Sequence, residues 1–186
     1  DEILESEGMD RLHMDLSESQ QELIRRVSQV NKNVILVLSG GAPFIMPKKG
    51  TYRAAIHGYL GGQAGASAIA DPLTGKVNPS GKLADTWAYA YEDFPFAMEY
   101  GSLNGDLQNE YYHEGIFVGY RWFDSFGITP RYPFGYGLSY TDFAICCVGV
   151  KAEGMVVELK AAVTNTGDRA GKQVVQLYVS APEEGL

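Results

Sequence analysis

Apolar positions repeat with two different periods along the chain, and the change of period divides it. After Ser17, apolar residues Leu23, Val27 and Val30 recur at helical intervals with Ile24 beside them, predicting an amphipathic helix of about four turns. Ser17 and Gln20 stand at capping-box spacing at its start, and Asn31-Lys32-Asn33 ends it. Val34 to Leu38 is an unbroken β-branched and aliphatic run, which predicts a strand covered on both faces. The unit then repeats. Residues 54–60 read as a second strand, Gly61-Gly62 as a turn, and residues 63–70 as a helix of small residues closed by Pro72 and Gly75. Small side chains there let a helix approach a sheet closely. Helix and buried strand in alternation are the grammar of an α/β sheet.

Between Asn78 and Asp142 the periodicity fades, and glycine, proline and aromatic residues dominate, predicting long loops over a surface. From Phe143 onward the period becomes two. Met155, Val157, Leu159, Ala161 and Val163 fall on one strand face, with Glu158, Lys160 and Thr164 on the other. Asn165 to Asp168 reads as a turn, and Gln173 to Val179 as a further strand. An antiparallel sandwich takes roughly 100 residues, so residues 142–186 are expected to hold only its opening strands, and residues 1–141 the α/β domain. Both ends are expected to be cut from a larger protein: the chain begins at Asp1 and stops soon after a strand-like run.

Composition narrows the chemistry. The net charge of −8, from 15 basic and 23 acidic residues, and the lack of any basic run beyond Arg25-Arg26 and Lys48-Lys49 argue against a nucleic-acid partner. No apolar run approaches the ~20 residues of a membrane-spanning helix. Cys146 and Cys147 are adjacent, so on a strand they point to opposite faces; they read as buried or half-buried structural thiols in a reducing, cytoplasmic setting.

Motifs for cofactor chemistry are missing. Gly61-Gly62-Gln63-Ala64-Gly65 lies between a strand and a helix, but Leu60 stands where a dinucleotide loop has its first glycine. No nucleophile elbow occurs, and His13, His57 and His113 lack metal-ligand spacing, so neither cofactor nor metal is expected. Carboxylates remain. Glycosidic bonds are cleaved by a pair of them, and the candidates are Glu5, Glu7, Asp10, Glu110 and Glu114. By residue type alone, each is first a solvated surface charge. The aromatic stretch 111–124 offers faces on which a sugar can stack, although most of its rings are expected to fill a core or an interface.

Several segments, in order, carry a resemblance: ESEGMDR (5–11), NVILVLSGGAPFIMP (33–47), GYLGGQAGASAIADPLTGKVNPSGKLADTW (58–87), EYYHEGIFVGYRWFD (110–124), YPFGYGLSYTDF (132–143) and VTNTGDRAGKQVVQLYVSAP (163–182). Over essentially its whole length the chain resembles the C-terminal half of glycoside hydrolase family 3 β-glucosidases. The resemblance implies an α/β/α sandwich with a mostly parallel sheet, followed by the first strands of a fibronectin type III-like β-sandwich. It also implies an N-terminal barrel domain as a partner in cis, carrying the nucleophilic aspartate upstream of Asp1. By motif position Glu7 is implied as the catalytic acid/base, with Glu5 as the alternative and Glu114 structural or bordering the cleft. Lys48-Lys49 stands where many relatives carry tryptophan. The implied substrate is a β-glucoside or oligosaccharide, with a β-xyloside or a purely carbohydrate-binding role as alternatives. Alone, without the barrel, the chain is expected to be inactive.

Overall fold

The computed structural model describes residue 11 and residues 13–100, 105–106 and 108–180. Helix α1, Glu18–Val30, begins at the expected box: the Ser17 hydroxyl accepts from the Gln20 amide at 3.3 Å, and the Gln20 side chain accepts from the Ser17 amide at 3.0 Å. Two otherwise orphaned donors are thus satisfied reciprocally. Only Ile24 of its apolar residues packs on the central core, whereas Leu23 and Val30 stay exposed.

On the outer side of α1 the Glu22 carboxylate accepts from Arg25 at 2.6 and 2.7 Å and from Arg26 at 2.6 Å. The Arg25 and then the Arg26 hydrogen bond push the Glu22 carboxyl from its ordinary 4.5 down to about 2. A depressed carboxyl pKa gives support that is complete above the unfolded value and is lost as pH falls through the folded one. The support this exposed triad lends the helix is small, complete above about pH 4.5 and lost as pH falls toward about 2. A carboxyl carbon-13 titration should give Glu22 the low midpoint, and Arg25→Gln should move it upward; a midpoint near 4.5 in the unaltered protein would contradict the pairing.

Strands β1 (Ile35–Leu38) and β2 (Ala54–His57) pair in parallel, with Ile35 opposite Ala54 and Leu38 opposite His57. The expected double-sided cover of β1 is corrected. Leu36 and Leu38 are buried, but Ile35 and Val37 on the other face are about half exposed, because no described element lies over them. Leu36, Leu38 and Trp87 form the centre of the core, joined by Phe44, Met46, Tyr52, Leu83 and Tyr132. The His57 ring lies 3.9 Å from Tyr59 and 5.2 Å from Trp87, so this histidine is a packing residue.

Helix α2, Gly65–Leu73, runs one turn beyond the expected end. Pro72 removes only its own donor; the Thr74 and Gly75 amides still reach the Ala70 and Pro72 carbonyls, and the chain stops at Gly75 with φ of 77°. The close helix–strand approach is present. A Cβ on Gly58 would lie 2.8 Å from the Ile69 side chain, and one on Gly61 2.7 Å from the Gly65 backbone.

The long middle stretch is ordered by a pairing that local periodicity does not announce. The Leu83 amide donates to the Tyr136 carbonyl and the Gly135 amide to the Leu83 carbonyl, both at 2.8 Å. Further along, the Trp87 amide donates to the Tyr132 carbonyl at 2.8 Å and the Arg131 amide to the Trp87 carbonyl at 2.7 Å. Arg131 also donates to the Tyr52 hydroxyl at 2.9 Å, which lies 3.1 Å from the Tyr132 hydroxyl. Burial first, and then Tyr52, push the Tyr132 phenol up to about 12. A short helix α3, Tyr120–Ser125, buries Phe123 against Phe94.

Strands β3 (Phe143–Glu153) and β4 (Val156–Asn165) make an antiparallel hairpin with a register shift between Cys147 and Gly149. Met155, expected on the strand face, instead sits in the turn with Gly154, whose φ is 58°. Both cysteines are exposed and free, correcting the expectation of buried thiols, because no described layer covers either face of the hairpin. The expected strand at 173–179 is likewise absent among the described residues. That segment makes no ladder; Tyr178 packs edge-on to Tyr120 and Gln176 lies against Gly135, both in the α/β part. The turn after β4 is as expected, with the Gly167 amide donating to the Asn165 side chain at 3.0 Å.

Candidate active site

A cavity of about 840 Å³ opens between the segment following Trp87 and the stretch leading to α3. Three pieces of local structure shape its wall. Asp93 accepts from the Tyr89 and Ala90 amides at 3.1 and 3.0 Å, closing a tight turn at residues 91–93. The Trp122 indole donates to the Asp93 carbonyl at 2.9 Å, tying this turn to α3. Phe96 then adopts φ of 53°, a left-handed conformation costly for a bulky residue, and starts a second tight turn at residues 97–99.

The opposite wall is built from Asp106 outward. Its carboxylate accepts from the Gln108 and Asn109 amides at 2.9 and 3.2 Å and from the Asn109 side chain at 2.9 Å; the Asn109 side chain, then the Gln108 amide, hold its pKa below the ordinary value. This folded turn delivers Glu110, Tyr111 and Tyr112 to the cavity edge. His113 bridges the two walls by a 2.9 Å contact with Glu99, and its ring meets Phe96 edge-on and Tyr111 face-on.

The cavity therefore combines carboxylates (Asp85, Glu99, Glu110, Glu114) with aromatic faces (Tyr91, Phe96, Tyr100, Tyr111, Tyr112). That mixture suits a polyhydroxylated ligand, which takes hydrogen bonds at its edges and apolar contact on its faces. Of the candidates from sequence, Glu110 and Glu114 are both on the wall. Glu5, Glu7 and Asp10 lie outside the described residues, but Arg11, which closes the same motif, lines the cavity with His13. Lys48 and Lys49 are exposed in a separate turn. Of the aromatic stretch, Phe123 is buried and Phe117, Tyr120 and Trp122 are half-buried, while Tyr111 and Tyr112 stay exposed. Asp85, Thr86 and Glu99 were not among the sequence candidates; the pairing of residues 83–87 with 131–136 brings the first two there. Among the described residues no three His, Cys, Asp or Glu side chains are grouped to hold a metal ion, and no helix is long and apolar enough to cross a membrane.

Residues 1–120 match the sequence profile of the glycosyl hydrolase family 3 C-terminal domain. The chain belongs to glycoside hydrolase family 3. Among curated family 3 relatives, thermostable β-glucosidase B of Acetivibrio thermocellus is 43% identical over 179 residues, covering 94% of this chain and 23% of that protein. A probable β-glucosidase I of Aspergillus oryzae is 38% identical over 187 residues, 96% of this chain and 22% of that protein. Among solved structures, the β-glucosidase of Kluyveromyces marxianus superposes with a TM-score of 0.80 at 35% identity, over 89% of this chain and 19% of that one. β-Glucosidase 3B of Thermotoga neapolitana, in complex with α-D-glucose, gives 0.78 at 37% identity, over 85% and 23%. The chain thus spans about a fifth to a quarter of the length of these family 3 relatives. Its small parallel sheet and antiparallel hairpin agree with these neighbours of the family 3 C-terminal domain.

Proposed function

We propose that the chain is part of a retaining, exo-acting β-glucosidase that releases terminal β-linked glucose, and that it contributes the acid/base Glu7. The observation that carries this reading is the family 3 match across residues 1–120, which includes Glu7 in its Glu5-to-Arg11 motif, together with relatives that are β-glucosidases. The cavity supports it, since Arg11 of that motif stands on a wall with aromatic and acidic groups. The nucleophile is an aspartate on a barrel domain upstream in the same protein, a placement that fits a chain spanning a fifth to a quarter of its relatives. Residues 1–141 are the α/β/α sandwich domain. Residues 142–186 begin the fibronectin type III-like domain.

In the first step Glu7 donates its proton to the glycosidic oxygen while the aspartate attacks the anomeric carbon and the aglycone leaves as an alcohol. In the second, the Glu7 carboxylate takes a proton from water as the water oxygen displaces the aspartate. The two carboxyl groups belong ~5–5.5 Å apart for this chemistry. The distance is then set by how the barrel docks on this part of the chain. Proton NMR of the first product formed from an aryl β-glucoside by the full-length protein tests the reading. β-Glucose, appearing before mutarotation, is expected. α-Glucose would exclude a retaining mechanism, and preference for the β-xyloside would move the substrate assignment to xylosides.

A further inference from the structure

One side chain ties two stretches of the chain together at the seam between the α/β part and the β3–β4 hairpin. Asn78 follows α2, and Pro79 after it confines its backbone to extended conformations. Its Oδ1 accepts from the Ser139 hydroxyl at 2.9 Å and from the Tyr140 amide at 2.7 Å. Its Nδ2 donates to the Ala170 carbonyl at 3.0 Å. The amide oxygen thus grips the chain entering β3, and the amide nitrogen grips the chain leaving β4. The assignment of oxygen and nitrogen is forced, because the Tyr140 amide needs an acceptor and the Ala170 carbonyl needs a donor.

The surroundings are shaped to the same contact. A Cβ on Gly171 would lie 2.9 Å from Asn78 Nδ2 and 3.0 Å from the Thr141 methyl, so glycine leaves the gap the carboxamide occupies. The Tyr140 hydroxyl donates to the Pro72 carbonyl at 2.8 Å, and the Arg169 guanidinium lies 5.6 Å from the Tyr140 ring centroid. Buried Thr141 is hydrogen-bonded to Asn165 at 2.8 Å, and Asn165 in turn donates to the Arg169 carbonyl at 2.6 Å. Apolar packing does little of this joining. Within β3 and β4 only Phe143 and Leu159 are even half-buried.

We propose that Asn78 is a latch that docks the hairpin on the α/β part and makes the two open as one cooperative unit. Local opening frequency follows the number of bonds that must break, and three bonds to one amide are lost together here. Hydrogen exchange on the full-length protein tests this. Asn78→Ala is expected to speed exchange in residues 139–142 and 166–171 by roughly 10- to 1000-fold while α1 keeps its protection. Asn78→Asp keeps both acceptor contacts but turns an oxygen toward the Ala170 carbonyl. It is expected to loosen 166–171 and leave 139–142 protected, and it decides the matter if the alanine variant does not fold. Unchanged protection of both stretches in Asn78→Ala would overturn the latch, as would α1 loosening as much as the seam. Equal loosening of the two stretches in Asn78→Asp would do the same.

Discussion

Replacing Glu7 by glutamine in the full-length protein is expected to lower kcat/KM for alkyl β-glucosides by about 10²- to 10⁴-fold, the usual worth of one positioned proton donor. The loss has an internal signature. An aryl glucoside with a strongly acidic phenol needs little protonation to leave, so its first step is spared while water still lacks its base in the second. A burst of phenol followed by slow turnover is expected for that substrate. In Glu7→Gly the vacated space admits azide, an anion that attacks the glycosyl intermediate without a base, and β-glycosyl azide accumulates with rate recovery. Glu5→Gln is the matched control, because it sits two residues away in the same motif. Wild-type rates in Glu7→Gln, or azide rescue in Glu5→Gly instead, would remove Glu7 from the acid/base role.

What could be read from sequence is local, and what could not depends on partners distant in the chain. The Ser17–Gln20 box and the strands β1 and β4 are set by neighbours within a few residues, and they form where expected, although β1 is covered on one face only and Met155 falls in the turn before β4. The expected third strand at 173–179 has a suitable alternation, but a strand is defined by the ladder it joins, and its side chains turn toward Gly135 and Tyr120 instead. Burial of Cys146 and Cys147 likewise depends on a covering layer, which alternation does not supply. The cavity was only half legible. Glu110 and Glu114 stand out by residue type, whereas Asp85 and Thr86 reach the wall through the pairing of residues 83–87 with 131–136, which leaves no periodic trace. The nearest sequence clue is the density of glycines on both segments at one end of that pairing, at positions 81, 135 and 137.

Those glycines are expected to differ sharply in cost, and the ordering runs against backbone conformation alone. Gly135 has φ of 77°, where any other residue is strained by about 1–2 kcal/mol, yet the atoms nearest a methyl there belong to the Gln176 side chain, which can swing away. Gly137 is not among the positive-φ glycines, so by torsion it should accept alanine. Its Cβ, however, would fall on the Gly81 carbonyl oxygen and lie 3.0 Å from Lys82 Cδ. The Gly81 backbone cannot easily retreat. Lys82 donates to the Gly137 carbonyl at 2.5 Å, and the Leu83–Tyr136 and Gly135–Leu83 bonds hold the two segments in register on the next residues. Relief requires opening that ladder, at about 0.5–1.5 kcal/mol per bond, in addition to an overpacking cost of about 1–3 kcal/mol. Gly137→Ala should therefore destabilise by about 2–5 kcal/mol, more than Gly135→Ala, as read from denaturant midpoints at constant slope. The loss also reaches the cavity, because the same segment continues into Asp85 and Thr86 on its wall. A Gly137→Ala variant as stable as Gly135→Ala would mean that the segments separate freely, and that this pairing does not hold the wall.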